Sequence, residues 1–182
     1  MCINIEVKSN NNKYNRLVDI TAEQTGQSTV SSYKHNAIIF KGKKKICSGY
    51  NQLLRTVYKG NYSCSIHAEM DTVVKFLNSF IKIHNIKHNP DKLRRKLNKY
   101  SICVVRVSEK DDGTIECMNS KPCRDCFQKL QNVGLNKVCY TAYNNEIYTC
   151  RIKDIDTTLI NYTGVMRKEG VLNKTRTANL LA

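Results

Sequence analysis

Apolar positions along the chain follow two different spacings, and the changes of spacing mark the elements. Over residues 66–83 they recur three and four apart, at Ile66, Met70, Val73, Val74, Leu77 and Ile81, which predicts a helix with one apolar face. Ala37 to Phe40 is a short apolar run, followed by Gly42, a lysine-rich tip and then Ile46 and Cys47, which predicts a hairpin. "YSICVVRVS" at 100–108 is almost continuously apolar and predicts a buried strand. "DDGT" at 111–114 is a turn, and "IECMNS" at 115–120 reads as a following strand.

Cys123 to Val133 predicts a second helix, entered after Pro122 and closed by Gly134. "KVCYTAY" and "NNEIYTCRI" predict two more strands across an Asn-Asn turn. Helices over 14–26 and within 155–162, and a short one after Asn89-Pro90, complete the set. Strands alternating with helices argue for an α/β sandwich around one mixed sheet. No internal repeat or linker divides the 182 residues, so one domain is expected over 1–182, with its core at about 30–150. The basic stretch 82–100 reads as an insertion, residues 1–12 as a polar lead-in, and 163–182 as a loosely held basic tail.

Charge narrows the partners. The chain has 30 Lys+Arg against 15 Asp+Glu, a net +15, which favours polyanions: nucleotide phosphates, or nucleic acid through a basic surface. No apolar run approaches a membrane span, so no membrane partner is expected. The start, "MCINIEVKSNNNKYN", lacks the charged-then-apolar pattern of an export signal. The nine cysteines are odd in number and include one Cys-x-x-Cys pair, which fits thiols and metal ligands in a reducing compartment. These features predict a cytoplasmic protein. Abundant Asn, Lys and Ile suggest AT-rich coding and fit a virus or an AT-rich microbe; for a virus the host cytoplasm or the virion would be the location.

The chemistry concentrates in two segments. "SIHAEMDTVV" at 65–74 puts His67 and Glu69 at the first turn of one predicted helix. "NSKPCRDCFQKL" at 119–130 puts Cys123 and Cys126 at the first turn of another. One imidazole and two thiolates suit zinc, and a catalytic zinc leaves its fourth position open to water. Helix N-termini favour thiolates, and a three-residue interval lets both sulfurs face one ion. Glu69 lies two residues from His67, placed to act as general acid and base and not as a ligand. A structural four-ligand zinc would need another Cys or His beside one half, and neither half has one. His-x-Glu followed by Pro-Cys-x-x-Cys is the pattern of zinc nucleobase deaminases.

On these motifs the chain resembles the cytidine and deoxycytidylate deaminase superfamily over about 30–150. "HAE" at 67–69 and "KPCRDC" at 121–126 carry the resemblance, with "SGYN" at 48–51 and "VGLNKVCY" at 133–140. It implies a three-layer α/β/α sandwich with a five-stranded mixed sheet, Zn2+ on His67, Cys123 and Cys126, and Glu69 as proton shuttle. It also implies that Asn51 contacts the sugar or base, that the Ala68 amide binds the base carbonyl, and that the protein is a homo-oligomer. The expected reaction is conversion of dCMP or CMP to the uracil nucleotide with release of ammonia. Deamination of cytosine or adenine in RNA or DNA is the first alternative, although the chain has no Trp near Pro-Cys. A catalytically silent deaminase fold serving as a nucleic-acid-binding or structural protein is the second.

Other segments say less. His84 and His88 lie four apart in the insertion and could hold a second zinc, though solvated histidines are the simpler reading. "DKLRRKLNKY" at 91–100 and "KGKKK" at 41–45 read first as solvated basic surfaces, and Asp19 with Glu23 as a surface acid pair.

Overall fold

The computed structural model describes residues 7–8, 12–30, 33–53, 57–58, 61–62, 65–84, 90–157 and 160. In chain order they form β1 (Val7–Lys8), α1 (Asn12–Ala22), a 3-10 turn (Thr25–Gln27), β2 (Lys34–Lys41), β3 (Lys44–Tyr50) and four two-residue strands. These are β4 (Gln52–Leu53), β5 (Val57–Tyr58), β6 (Asn61–Tyr62) and β7 (Ser65–Ile66). Then come α2 (Ala68–His84), α3 (Pro90–Leu97), β8 (Ser101–Glu109), β9 (Ile115–Met118), α4 (Arg124–Val133), β10 (Lys137–Thr141) and β11 (Ile147–Arg151).

The main sheet runs β1-β11-β10-β8-β2-β3, with β9 also paired to β8. Its five long strands make the expected mixed core, since β8 and β10 are parallel and the other neighbours antiparallel. β1 and β9 extend it to seven strands. β9 takes Arg106–Glu109 of β8, while β10 takes Ile102–Val104. β8 therefore changes partner along one flank, and the chain leaves the sheet for α4 at that junction.

Strand alternation builds two cores. Ala37, Ile39, Ile102 and Val104 face α2, α3 and α4, while Ile38, Phe40, Cys103 and Val105 face Leu17 and Val18 of α1. Because both faces of β2 and β8 are covered, these strands read as unbroken apolar runs and not as alternating ones. The result is the expected α/β/α layering. Each fully buried Leu or Ile here contributes roughly 1.5–3 kcal/mol.

Two helix edges differ from the sequence pattern. α2 begins at Ala68, because Ile66 pairs in β7. Its buried stripe runs through Met70, Val73, Phe76, Leu77 and Phe80, while Ile81 is 37% exposed. α1 stops at Ala22, short of Gly26. Near the C-terminus a 3-10 turn forms at Ile152–Asp154; of the helix expected within 155–162, Ile155 and Asp156 are not helical and half of the residues lie outside the described ones, as do His88 and the tail. Asp19 and Glu23 are exposed, as the surface reading expected. His84 packs its ring 4.3 Å from that of Phe80. All seven described cysteines are free thiols, and Cys103, Cys139 and Cys150 are buried, as small apolar residues would be. Cys2 and Cys64 are not among the described residues. No described helix is long and apolar enough to cross a membrane.

α2 is seated on β3 through Gly49. Thr72 Oγ1 donates to the Ala37 carbonyl at 3.1 Å, and Asp71 Oδ2 accepts from the Tyr50 amide at 3.2 Å. A methyl group on Gly49 would sit 2.5 Å from the Thr72 nitrogen, a backbone atom that cannot turn aside. Gly49→Ala is therefore expected to lower the urea midpoint, at a cost of roughly 1–3 kcal/mol. Gly26→Ala, with nothing within 4 Å, should leave it in place or raise it slightly. Equal midpoints for the two variants would contradict this account of how α2 is seated.

Candidate metal centre

α2 and α4 cover the same face of the sheet, and their N-terminal ends meet. His67 precedes the first residue of α2, and its carbonyl accepts the Met70 and Asp71 amides, each at 3.0 Å. Cys123 is the extended N-cap of α4 and accepts the Phe127 amide at 3.0 Å. Cys126 follows in the first turn. Pro122 is buried before the cap, where it has no amide hydrogen to satisfy. At the far end of α4, Gly134 at φ 84° lets its amide reach the carbonyls of Leu130 and Gln131.

The side chains converge. His67 Nδ1 lies 3.3 Å from Cys126 Sγ and 3.6 Å from Cys123 Sγ. All three donor atoms lie within 4.8 Å of one another, and no other such group occurs among the described residues. Hydrogen bonding from the Cys126 thiol outweighs burial, and with His67 beside it holds the Cys123 thiol down at about 4. Cys126 moves the other way, because it is the proton donor of the pair and is buried. Burial opposes charge on His67, but the Cys123 thiolate and nearby Glu69 prevail and raise it to about 9. The Cys123 sulfur is thus favoured as the anion, with the His67 and Cys126 protons turned toward it. A dication replacing those protons suits this donor set of one imidazole and two sulfurs, and the set is the one zinc takes.

Glu69 is 5% exposed, and burial raises its carboxyl above the usual range. It faces a cleft of about 790 Å3 lined also by Tyr33, His35, Asn51, Ala68 and Lys121. Ala68 is fully buried at the start of α2. Asn51 is 8% exposed and already employed: its Oδ1 accepts from the His35 amide at 2.8 Å and from Ser28 Oγ at 2.6 Å, and its Nδ2 donates to the Tyr33 carbonyl at 2.5 Å. The structure thus places all six sequence-predicted site residues in or beside one cleft.

Some contributors carried no signal in the sequence. Ser120 is buried at the β8 junction. Its Oγ donates to the Val104 carbonyl at 2.8 Å and accepts from the Thr141 amide at 2.8 Å, which fixes the loop three residues before Cys123. His35 is a lone histidine on β2. Burial, helped by the Arg106 charge, lowers it to about 4, so it is neutral at physiological pH. Arg106 in turn lies 4.5 Å over the ring of Tyr33, which is 53% exposed. These roles depend on neighbours distant in the chain. Only the position of Ser120 within "NSKPC" could have drawn attention.

No protein-family model matches the sequence, and no curated protein matches it. Several solved structures are similar. A cytidine deaminase from Burkholderia pseudomallei is 15% identical with a TM-score of 0.52, and the match covers 77% of this chain and 93% of that one. The dCMP deaminase of cyanophage S-TIM5 in apo form is 16% identical with a TM-score of 0.45, covering 72% and 84%. Its complex with dCMP and dUMP gives 16%, 0.44, 70% and 79%. The likeness to the bacterial enzyme establishes the fold: the chain is cytidine-deaminase-like in architecture.

Two outcomes follow from the geometry. After dialysis against zinc and then buffer, the protein should retain about one equivalent of zinc, and His67→Ala, Cys123→Ala or Cys126→Ala should each lose it. Elemental analysis with matched circular dichroism checks this, and zinc retained by all three variants would refute the site. His35 titrates at 6.5 when unfolded and near 4 when folded, so the unfolded chain takes up the proton first as pH falls. Its contribution to stability is complete above 6.5 and is lost as pH drops toward 4. His35→Gln should therefore flatten the fall in stability across that window, read from urea melts at stepped pH.

Proposed function

We propose that the protein is a zinc-dependent hydrolytic deaminase that converts a cytosine mononucleotide, dCMP or CMP, into the uracil nucleotide and ammonia. The observation that carries this reading is the meeting of His67, Cys123 and Cys126 beside the buried carboxyl of Glu69 in one cleft. Zinc held by those three donors would supply the Lewis acidity that makes water nucleophilic near neutral pH.

The chain's own residues do the rest. Glu69 takes the proton from the attacking water, passes it to ring N3 and then delivers a proton to the departing amino group at C4. Burial favours its protonated form, which suits a group that must hold and release a proton each cycle. We assign the Ala68 amide to the base carbonyl. Asn51 is assigned to the sugar or base through the Nδ2 hydrogen not given to Tyr33. Tyr33, Leu53 and Ile66 line the cleft and help to exclude water.

The size of the cleft supports a small substrate, since ligand pockets span roughly 300–1,000 Å3. Lys121 is the one Lys or Arg among its described lining residues and stands exposed at the rim, where it would meet a phosphate. A polymer substrate would call for a basic track with stacking aromatics. A homo-oligomer and a cytoplasmic site of action belong to the same reading.

Ammonia release from dCMP, CMP, cytidine and a cytosine-bearing oligonucleotide tests it. A monophosphate should be turned over, and Glu69→Ala should lose at least about 100-fold of that rate with zinc content unchanged. Turnover of the oligonucleotide alone would replace this reading with polynucleotide deamination. No turnover of any substrate by the zinc-loaded protein would replace it with a silent scaffold.

A further inference from the structure

The sheet has two ends, and they differ in charge. At the cleft end, Lys34 pairs with Glu109 at 3.9 Å and Lys110 with Glu116 at 3.2 Å. Asp111 and Asp112 are exposed there in the turn beyond β8. The other end is assembled from three separate stretches of chain. Register places the tip of the β2–β3 hairpin beside the start of β8, with Lys41 opposite Lys44 and Phe40 opposite Ser101. Lys41 Nζ lies 5.6 Å over the Tyr100 ring, and the Tyr100 carbonyl accepts the Asn136 amide at 2.8 Å. Arg94 of α3 lies against Gly134, and Lys137 of β10 sits opposite Arg151 of β11.

α3 buries Leu93 and Leu97 against the core, which leaves Arg94 and Arg95 exposed and Lys96 half-exposed. Hairpin tip, α3 and strand ends therefore form one basic surface, relieved among the described residues by the exposed acids Asp91 and Asp154. Neither the tip lysines nor Arg94, Arg95 and Lys96 form an ion pair among the described residues. A solvated surface ordinarily mixes signs, and like charges crowded together repel. A polyanion laid across this end would relieve that repulsion. Tyr100, the aromatic at its centre, is half-buried against Phe76 and Phe80, so it offers no platform for an unpaired base. Phosphates are what such a surface can grip.

We propose that this end is a docking surface for double-stranded nucleic acid, gripped through its phosphates without regard to sequence and separate from the cleft. β2 spans seven residue steps between the two ends, or about 23 Å. A duplex docked here does not enter the cleft, and the inference stands independently of the deaminase reading.

Fluorescence anisotropy of the full chain with a labelled duplex of about 20 base pairs, from about 50 to about 200 mM salt, tests the proposal. Affinity should fall with a log–log slope of about −4.5 to −5.5, as for five or six phosphate contacts. Arg94→Glu/Arg95→Glu/Lys96→Glu should bind at least about 10-fold more weakly at the lower salt, while Lys110→Glu at the cleft end should bind like the parent. Matched thermal melts and unchanged dCMP turnover would show that the triple variant is folded and that its loss is independent of the cleft. Absence of duplex binding, or equal binding by the triple variant, would overturn the proposal. So would tighter binding of a single strand, or equal binding of polyglutamate or of vesicles with about one-third phosphatidylserine.

Discussion

Two positive helix ends are held together beside the cleft, and the rest of the site follows from that constraint. Each helix presents unsatisfied amides and a partial positive charge at its N-terminus, so bringing two together is unfavourable unless anionic groups lie between them. The chain supplies one at the start of α4, the Cys123 thiol with its depressed pKa, with the Cys126 thiol one turn along donating to it. The positive helix ends by themselves oppose a dication; it is the thiolate favoured at Cys123, beside the Cys126 thiol and the His67 ring, that makes the pocket receptive to one. Metal affinity and helix placement are thus one electrostatic problem, solved by residues that the chain separates by 56 positions.

Holding those ends in register falls to short polar contacts with the sheet. Thr72 and Asp71 tie α2 to β2 and β3, and the missing side chain at Gly49 allows the close approach. Ser120 ties the α4 entry to β8 and β10 where β8 changes partner. Asn51 stitches the end of β3 to the start of β2 and so fixes the wall carrying His35 and Tyr33. Each contact is modest alone, but each satisfies a buried group that would otherwise cost about 1–3 kcal/mol.

The division of charge has the same origin. Parallel β8 and β10 direct their carboxyl ends to the cleft, the usual location of a ligand site in an α/β sheet. Their amino ends, the hairpin tip and α3 are left at the opposite end, where no cleft constrains composition. Lysine and arginine collect there, while acids offset the cations near the cleft.

Much of the fold was legible because its signals are local. The 3.6-residue period of α2, the unbroken apolar run of β8 and the Pro-to-Gly frame of α4 each follow from a few adjacent residues. The candidate metal donors His67, Cys123 and Cys126, with Glu69 beside them, were legible for a related reason: they form two compact motifs, each at the start of a helix. What only the tertiary structure decided depends on pairing. β1 is too short to declare itself, the pairing of the expected strand at 115–120 with the far half of β8 is a matter of register, and Ile66 left α2 because β4 competed for it. His35 became a neutral wall residue and Ser120 an anchor through neighbours that no local pattern names. By itself, the sequence determined which residues could bind a metal and which segments would be helix or strand, since backbone preference and donor chemistry are written residue by residue. Bringing the two half-sites within 4.8 Å, and placing the scattered lysines and arginines on one surface, required strand order and register, which are properties of the whole sheet.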